Sequence, residues 1–210
     1  DKNLTIYVKW IDIHAIPYKV VYKGENITDD KYSIIETNVL YGSLNEEVVA
    51  PIKTYEGVEE ISSDVKGQIV LDGSLVLEVL YRRKTYEVTY IIHGEEYEKV
   101  TDLKYNTKYK LIDNVMLKGY IFRGWYVDDQ FKKVASLNQI PSHDTIVYGK
   151  LEPITVGSSG LSYVLNPSKT GYIISGYTGT ETEIIIPNGY NCLPVVACLL
   201  YTSPSPRDRG

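Results

Sequence analysis

Apolar and polar residues alternate in short runs along most of the chain, and turn-forming residues separate the runs. Tyr18-Lys19-Val20-Val21-Tyr22 has the character of a strand, with Lys23-Gly24-Glu25-Asn26 as its turn. Tyr32 to Leu40 is apolar and β-branched and leads to a turn at Gly42. Asn45 to Thr54 fits a strand or a short helix equally well. Gly67 to Leu71 and Leu75 to Tyr81 flank Asp72-Gly73, a pattern that predicts a hairpin. Tyr86 to Ile92 and Glu96 to Leu103 predict a second hairpin across His93-Gly94. Lys108 to Ile112, Tyr120 to Tyr126 and Thr145 to Leu151 predict further strands. Val134 to Ile140 predicts one helical turn, stopped by Pro141. The pattern is that of a mainly β protein with little helix.

The richest stretch is Gly119-Tyr120-Ile121-Phe122-Arg123-Gly124-Trp125-Tyr126, followed by Val127-Asp128-Asp129-Gln130. Alternation puts Tyr120, Phe122 and Gly124 on one face, with Ile121 and Arg123 on the other. Trp125 and Tyr126 then follow in succession, so both faces become apolar just before an acidic turn. This predicts a central strand that delivers Trp125 into a small core, together with Tyr120, Phe122, Tyr90 and Tyr148. Outer-face tyrosines are the expected contact residues, although the sequence locates no ligand-binding patch.

The order Tyr86-Glu87-Val88-Thr89-Tyr90, Gly94, Gly119-Tyr120-x-Phe122-x-Gly124-Trp125-Tyr126 and Asp144 through Tyr148 resembles the Listeria–Bacteroides repeat of bacterial surface proteins, also called the internalin B-type repeat. The resemblance covers about residues 84–151 and implies a β-grasp fold, where the residues by themselves indicate a mostly-β domain of about five strands. Asn106 stands where that family usually has a turn glycine, and asparagine tolerates the left-handed geometry. Leu151 replaces the usual final tryptophan. Leu4 to Trp10 lines up with Thr145 to Leu151, so residues 1–10 read as the last strand of a truncated earlier repeat.

Residues 11–83 are similar to mucin-binding-protein domains, with a strand, an aromatic-glycine segment and a DG turn leading to Tyr81. Residues 152–159 have linker chemistry. Residues 160–197, with the Glu183-Ile184-Ile185-Ile186-Pro187 run and Tyr190-Asn191-x-Leu193-Pro194-Val195, resemble the start of a surface-antigen-type leucine-rich repeat array. Cys192 occupies the usual glycine position. One such repeat cannot cover its own apolar face. Cys198 to Asp208 agrees residue for residue with translated transposase mosaic-end adapter, so residues 198–210 read as a sequencing artefact and are expected to be irregular. The expected architecture is tandem small β-grasp-like modules followed by an incomplete leucine-rich-repeat start.

Composition changes this picture in few places. Twenty tyrosines against two phenylalanines suit thin sheets, where one ring face is buried and the hydroxyl stays wet. A net charge of −5 gives no electrostatic reason to bind nucleic acid or anionic lipid. No apolar run approaches the roughly 20 residues that cross a bilayer, so no membrane insertion is expected. The chain lacks an initiator methionine and a signal peptide, and its N-terminus reads as a cut edge.

Candidate chemistry is sparse. Ser63-x-x-Lys66 has the spacing of a serine–lysine pair but lacks the motifs that accompany one. Ser142-His143-Asp144 has triad residue types in consecutive positions, where a triad does not form. His14, His93 and His143 are scattered, Asp128-Asp129 lacks the alternating ligands of a calcium loop, and Gly176-Tyr177-Thr178-Gly179 has no following helix. Asn26-Ile27-Thr28 is a glycosylation sequon. No enzyme activity, cofactor or metal is expected. The expected function is a non-catalytic array on a bacterial surface or cell wall, meeting a protein or glycan of a host or neighbouring cell. The alternatives are accessory modules of a secreted glycosidase or peptidase, and a glycan-binding module in its own right.

Overall fold

The structure, a computed structural model, describes residues 12–29, 31–62 and 64–200. The strand expected at Leu4–Trp10, Ser63 and the tail from Tyr201 lie outside the described residues. Among the described residues there are fourteen strands: β1 Ile16–Glu25, β2 Tyr32–Gly42, β3 Glu47–Val49, β4 Val58–Glu60, β5 Lys66–Gln68, β6 Val76–Arg83, β7 Thr85–Ile92, β8 Glu95–Lys104, β9 Tyr120–Tyr126, β10 Thr145–Pro153, β11 Leu161–Leu165, β12 Tyr172–Tyr177, β13 Gly189–Tyr190 and β14 Leu193–Cys198. No helix occurs among the described residues.

The helical turn expected at Val134–Ile140 is a loop instead. Its backbone donors are taken by distant carbonyls, Ala135 N–H by Trp125 (2.8 Å) and Ile140 N–H by Thr107 (3.0 Å). Lys108–Ile112, expected as a strand, keeps only a bridge from Lys108 to Gln139.

Contacts divide the chain into two compact units. One holds the described residues up to Glu87 with Val100–Tyr109 and Asn138–Thr145. The other holds Val88–Lys99, Lys110–Leu137 and the described residues from Ile146 onward. This division runs through residues 84–151 rather than along the boundary expected near residue 84.

In the first unit a sheet runs in the order β2-β1-β6-β4. β1 and β2 form an antiparallel hairpin, β6 lies parallel to β1, and β4 is antiparallel to β6 at the far edge. Asp72-Gly73 turns the chain as its residue types require, with Gly73 at φ +69° and the Asp72 carboxylate accepting the Ser74 N–H. It does not make the expected hairpin, since β5 pairs with β3 and β6 with β1. The reason is burial: peeling away with β3 lays Val48, Ala50 and Ile69 over the sheet, where they close a core with Ile16, Val20, Leu77 and Val79.

Three tyrosines anchor that core. Tyr22 and Tyr81 are fully buried, and Tyr55 meets Tyr81 edge to face at 5.0 Å. Their hydroxyls each meet a protein acceptor. Tyr22 donates to the Pro51 carbonyl (2.9 Å), Tyr81 to the Lys53 carbonyl (2.8 Å) and Tyr55 to Glu36 (3.1 Å). Burial and the Glu36 contact push the Tyr55 hydroxyl up to about 12. A phenylalanine could fill the volume but could not tie down the 51–55 segment.

Only Lys84 separates β6 from β7, and a buried carboxylate marks this joint. Glu25 accepts the Arg83 N–H at 2.9 Å and pairs with the Lys104 ammonium. The Arg83 guanidinium donates to the carbonyls of Glu25 (3.0 Å) and Tyr105 (2.9 Å).

The next sheet has the order β8-β7-β10-β9. β7 and β8 are joined by His93-Gly94, both at positive φ (53° and 82°), the mirror-image turn that suits strand twist. Asn106 takes φ +61°, the left-handed geometry its residue type admits.

The third sheet has the order β11-β12-β14-β13, with β12 and β14 parallel. Glu183–Pro187, expected as a strand, is irregular. The stretch expected as a linker is ordered by hydrogen bonds: β10 runs through Pro153, Thr155 N–H donates to Asn188 (2.8 Å) and Ser158 N–H to the Ile185 carbonyl (3.0 Å). β14 continues through Cys198, and Leu199 N–H reaches the Ile174 carbonyl, so irregular chain does not begin at Cys198.

β13 and β14 turn at Asn191-Cys192, with φ +49° and +67°. The second of these costs a residue with a Cβ about 1 kcal/mol. Cys192→Gly is therefore expected to raise stability by about 0.5–1 kcal/mol despite loss of the Sγ contact to the Leu117 carbonyl (3.2 Å). Urea denaturation of both proteins checks this, and a lower midpoint in the variant would show the thiol contact to dominate.

Candidate functional site

Trp125 organises the second unit, but from an edge strand rather than a central one. β9 pairs with β10 alone in its sheet. Tyr148 faces Tyr126 and Gly149 faces Trp125, whereas Leu151 faces Phe122. Arg123 and Gly124 together therefore oppose Lys150, a bulge made possible by Gly124 at φ +113°. The extra residue resets the alternation. Phe122 and Trp125 share a face, with rings 5.1 Å apart, and Ile121 is buried on the other side, where Gly189 admits it.

The indole is buried, with 4% exposure. It meets fully buried Tyr90 edge to face at 4.7 Å, and its N–H donates to the Ile112 carbonyl. Gly149 makes room for it, since a Cβ there would lie 2.9 Å from Trp125 and 2.8 Å from Ile92. Gly149→Ala is expected to cost about 1–3 kcal/mol by overpacking, seen as a lower thermal midpoint.

Of the five residues expected in this core, Tyr90 and Trp125 are buried, while Tyr120, Phe122 and Tyr148 are half-buried. Tyr120 packs against the His93 ring at 5.1 Å. Tyr148 follows Val147 and precedes Gly149, both turned toward the core, so it projects from the opposite face. The period-2 pattern could have shown this. The aromatic identity of Tyr148 misdirects the assignment.

That opposite face carries a depression of about 560 Å³. Ile91 of β7, Ile146 and Tyr148 of β10 and the His93-Gly94 turn line it. Phe131 and Asp129, from the loop after β9, form a wall. The loop is built by Asp128, whose carboxylate accepts the N–H groups of Gln130, Lys132 and Lys133 at 3.1–3.2 Å. These bonds, the Lys132 one foremost, outweigh desolvation and hold the Asp128 carboxyl below its ordinary range. They also hold Phe131 at φ +55°, where its ring meets Tyr126 at 5.4 Å. The Lys150 ammonium lies 5.7 Å from the Tyr126 ring centre and 5.9 Å from that of Phe131. Phe131 is the site residue that sequence reasoning missed, because nothing local marks a left-handed phenylalanine.

The other motifs are spent on structure. Ser142 donates to Glu56 (2.6 Å) and Asp144 accepts the Glu87 N–H (3.0 Å), so the consecutive Ser-His-Asp forms no triad. Lys66 pairs with Glu47 at 3.0 Å. The Asn26 side chain donates to Asp29 at 2.8 Å. Among the described residues no three His, Cys, Asp or Glu side chains gather as metal ligands.

Several small sheets and no helix among the described residues define an all-β protein. Residues 86–150 match the family model of the Listeria-Bacteroides repeat domain. That repeat is typical of extracellular bacterial surface proteins. Among curated proteins, none matches the chain.

Proposed function

We propose that the chain is a non-catalytic module array of a bacterial cell-surface or secreted protein, spacing and presenting an adhesive or protein-binding region outside the cell. The match at 86–150 carries this reading. The first two sheets share one strand order: second hairpin strand, first, last, then penultimate. That common order supports a β-grasp-like reading of both, and with the DG turn a mucin-binding-like reading of residues 11–83. Exposed Ile185 and Ile186 support a leucine-rich-repeat start at 160–197 whose apolar face awaits a further repeat. The adapter reading of residues 198–210 rests on their sequence, and Leu199 is exposed.

Sequencing the source DNA on both sides of the chain tests this. The expected result is an export signal upstream, then repeats and a wall-sorting signal downstream, with Cys198 onward replaced by a continued repeat. A catalytic domain in the same frame would instead make these the accessory modules of a secreted glycosidase or peptidase.

A further inference from the structure

We propose that the depression on the outer face of the 86–150 repeat is a carbohydrate site, shaped for one or two rings of a neutral pyranoside. This rests on the extracellular reading above and gives the array its ligand class. The volume of about 560 Å³ lies within the range of small-molecule sites. Ile91, Ile146 and the rings of Tyr148 and Phe131 line the depression with apolar surface against which the C–H face of a pyranose can pack.

The polar groups are few and free to act, as a sugar site requires. Adjacent Asp128 and Asp129 have different tasks. Asp128 is saturated by three backbone donors, whereas the Asp129 carboxylate has no hydrogen-bond partner among the described residues and stands at the wall. Its two oxygens can accept from neighbouring sugar hydroxyls. The His93 ring, packed against Tyr120, adds a lining group that can donate or accept.

Charge selects among ligands. Among the described residues Asp129 is the one carboxylate lining the depression and no lysine or arginine lines it, so the site presents neither the cation cluster a phosphate needs nor a paired acid for an amine. The wall is set before any ligand arrives, because the Asp128 bonds hold Phe131 in place, and that lowers the ordering cost of binding.

Saturation-transfer NMR and calorimetry on the whole chain test the site with cellobiose, chitobiose, lactose and maltose. At least one is expected to bind with millimolar affinity. Phe131→Ala and Tyr148→Ala should each weaken it about tenfold, since anchoring rings dominate such contacts. Asp129→Asn, on the surface and nearly isosteric, should weaken it several-fold with the circular dichroism spectrum and melting midpoint unchanged. No binding of any of the four at roughly 20 mM, the weak end of specific recognition, overturns the proposal. Binding that all three variants retain overturns it equally. Neither result touches the surface-array reading, which stands or falls on the flanking reading frame.

Discussion

Trp125→Ala is expected to cost the second unit about 3–5 kcal/mol, the range for removing a buried aromatic and leaving a cavity. Three losses combine. The indole leaves the contacts with Tyr90 and Phe122, its N–H no longer holds the Ile112 carbonyl, and Gly149 faces an empty space. A small domain has little more stability than this to lose. Urea denaturation followed by far-UV circular dichroism should show the cooperative transition of this unit moved or lost, while that of the first unit persists. Trp125→Phe separates the parts, because it keeps a ring and loses the N–H. It is expected to cost about 1–2 kcal/mol, near the cost of an unmet buried acceptor. An unchanged midpoint in Trp125→Ala would show that this ring is not the anchor.

The second large effect is at Glu25. Glu25→Ala removes the acceptor shared by the Arg83 N–H and the Lys104 ammonium and is expected to cost about 2–3 kcal/mol. Acid should have a related effect. Burial raises the Glu25 carboxyl, but the Lys104 and Arg83 hydrogen bonds outweigh it and hold the group below its ordinary value of 4.5. A carboxyl depressed on folding contributes stability above its unfolded pKa and loses it as pH falls through the folded one. Stability of the first unit should therefore decline below about pH 5, where the unfolded chain begins to take up the proton. Glu25→Gln should start lower at pH 7 and lose less on acidification. Parallel slopes for the two proteins would remove Glu25 from this account.

Much of the local structure was legible in the residues. Alternation located β1, β2, β7, β8, β9 and β10, and the residue types anticipated a hairpin turn at His93-Gly94 and left-handed geometry at Asn106. These are properties of a few consecutive residues, so a one-dimensional pattern contains them. The Gly-Tyr-x-Phe-x-Gly-Trp-Tyr stretch likewise anticipated the repeat that the family match places at 86–150.

Pairing and facing belonged to the tertiary structure. Asp72-Gly73 made its turn, yet β5 chose β3, because burying Val48 and Ile69 over the sheet outweighed the adjacent hairpin. The bulge at Arg123-Gly124 reset the faces of β9 and put Phe122 beside Trp125, which strict alternation separates. Val134–Ile140 lost its helical turn because Trp125 and Thr107 offered carbonyls from far along the chain. Phe131 reached the outer face only through the cap that Asp128 forms. The sequence by itself determined where strands and turns form, since those preferences act over neighbouring residues. Which strands meet, which faces close and where a concave surface remains were decided by contacts between distant residues, whose burial outweighs any local preference.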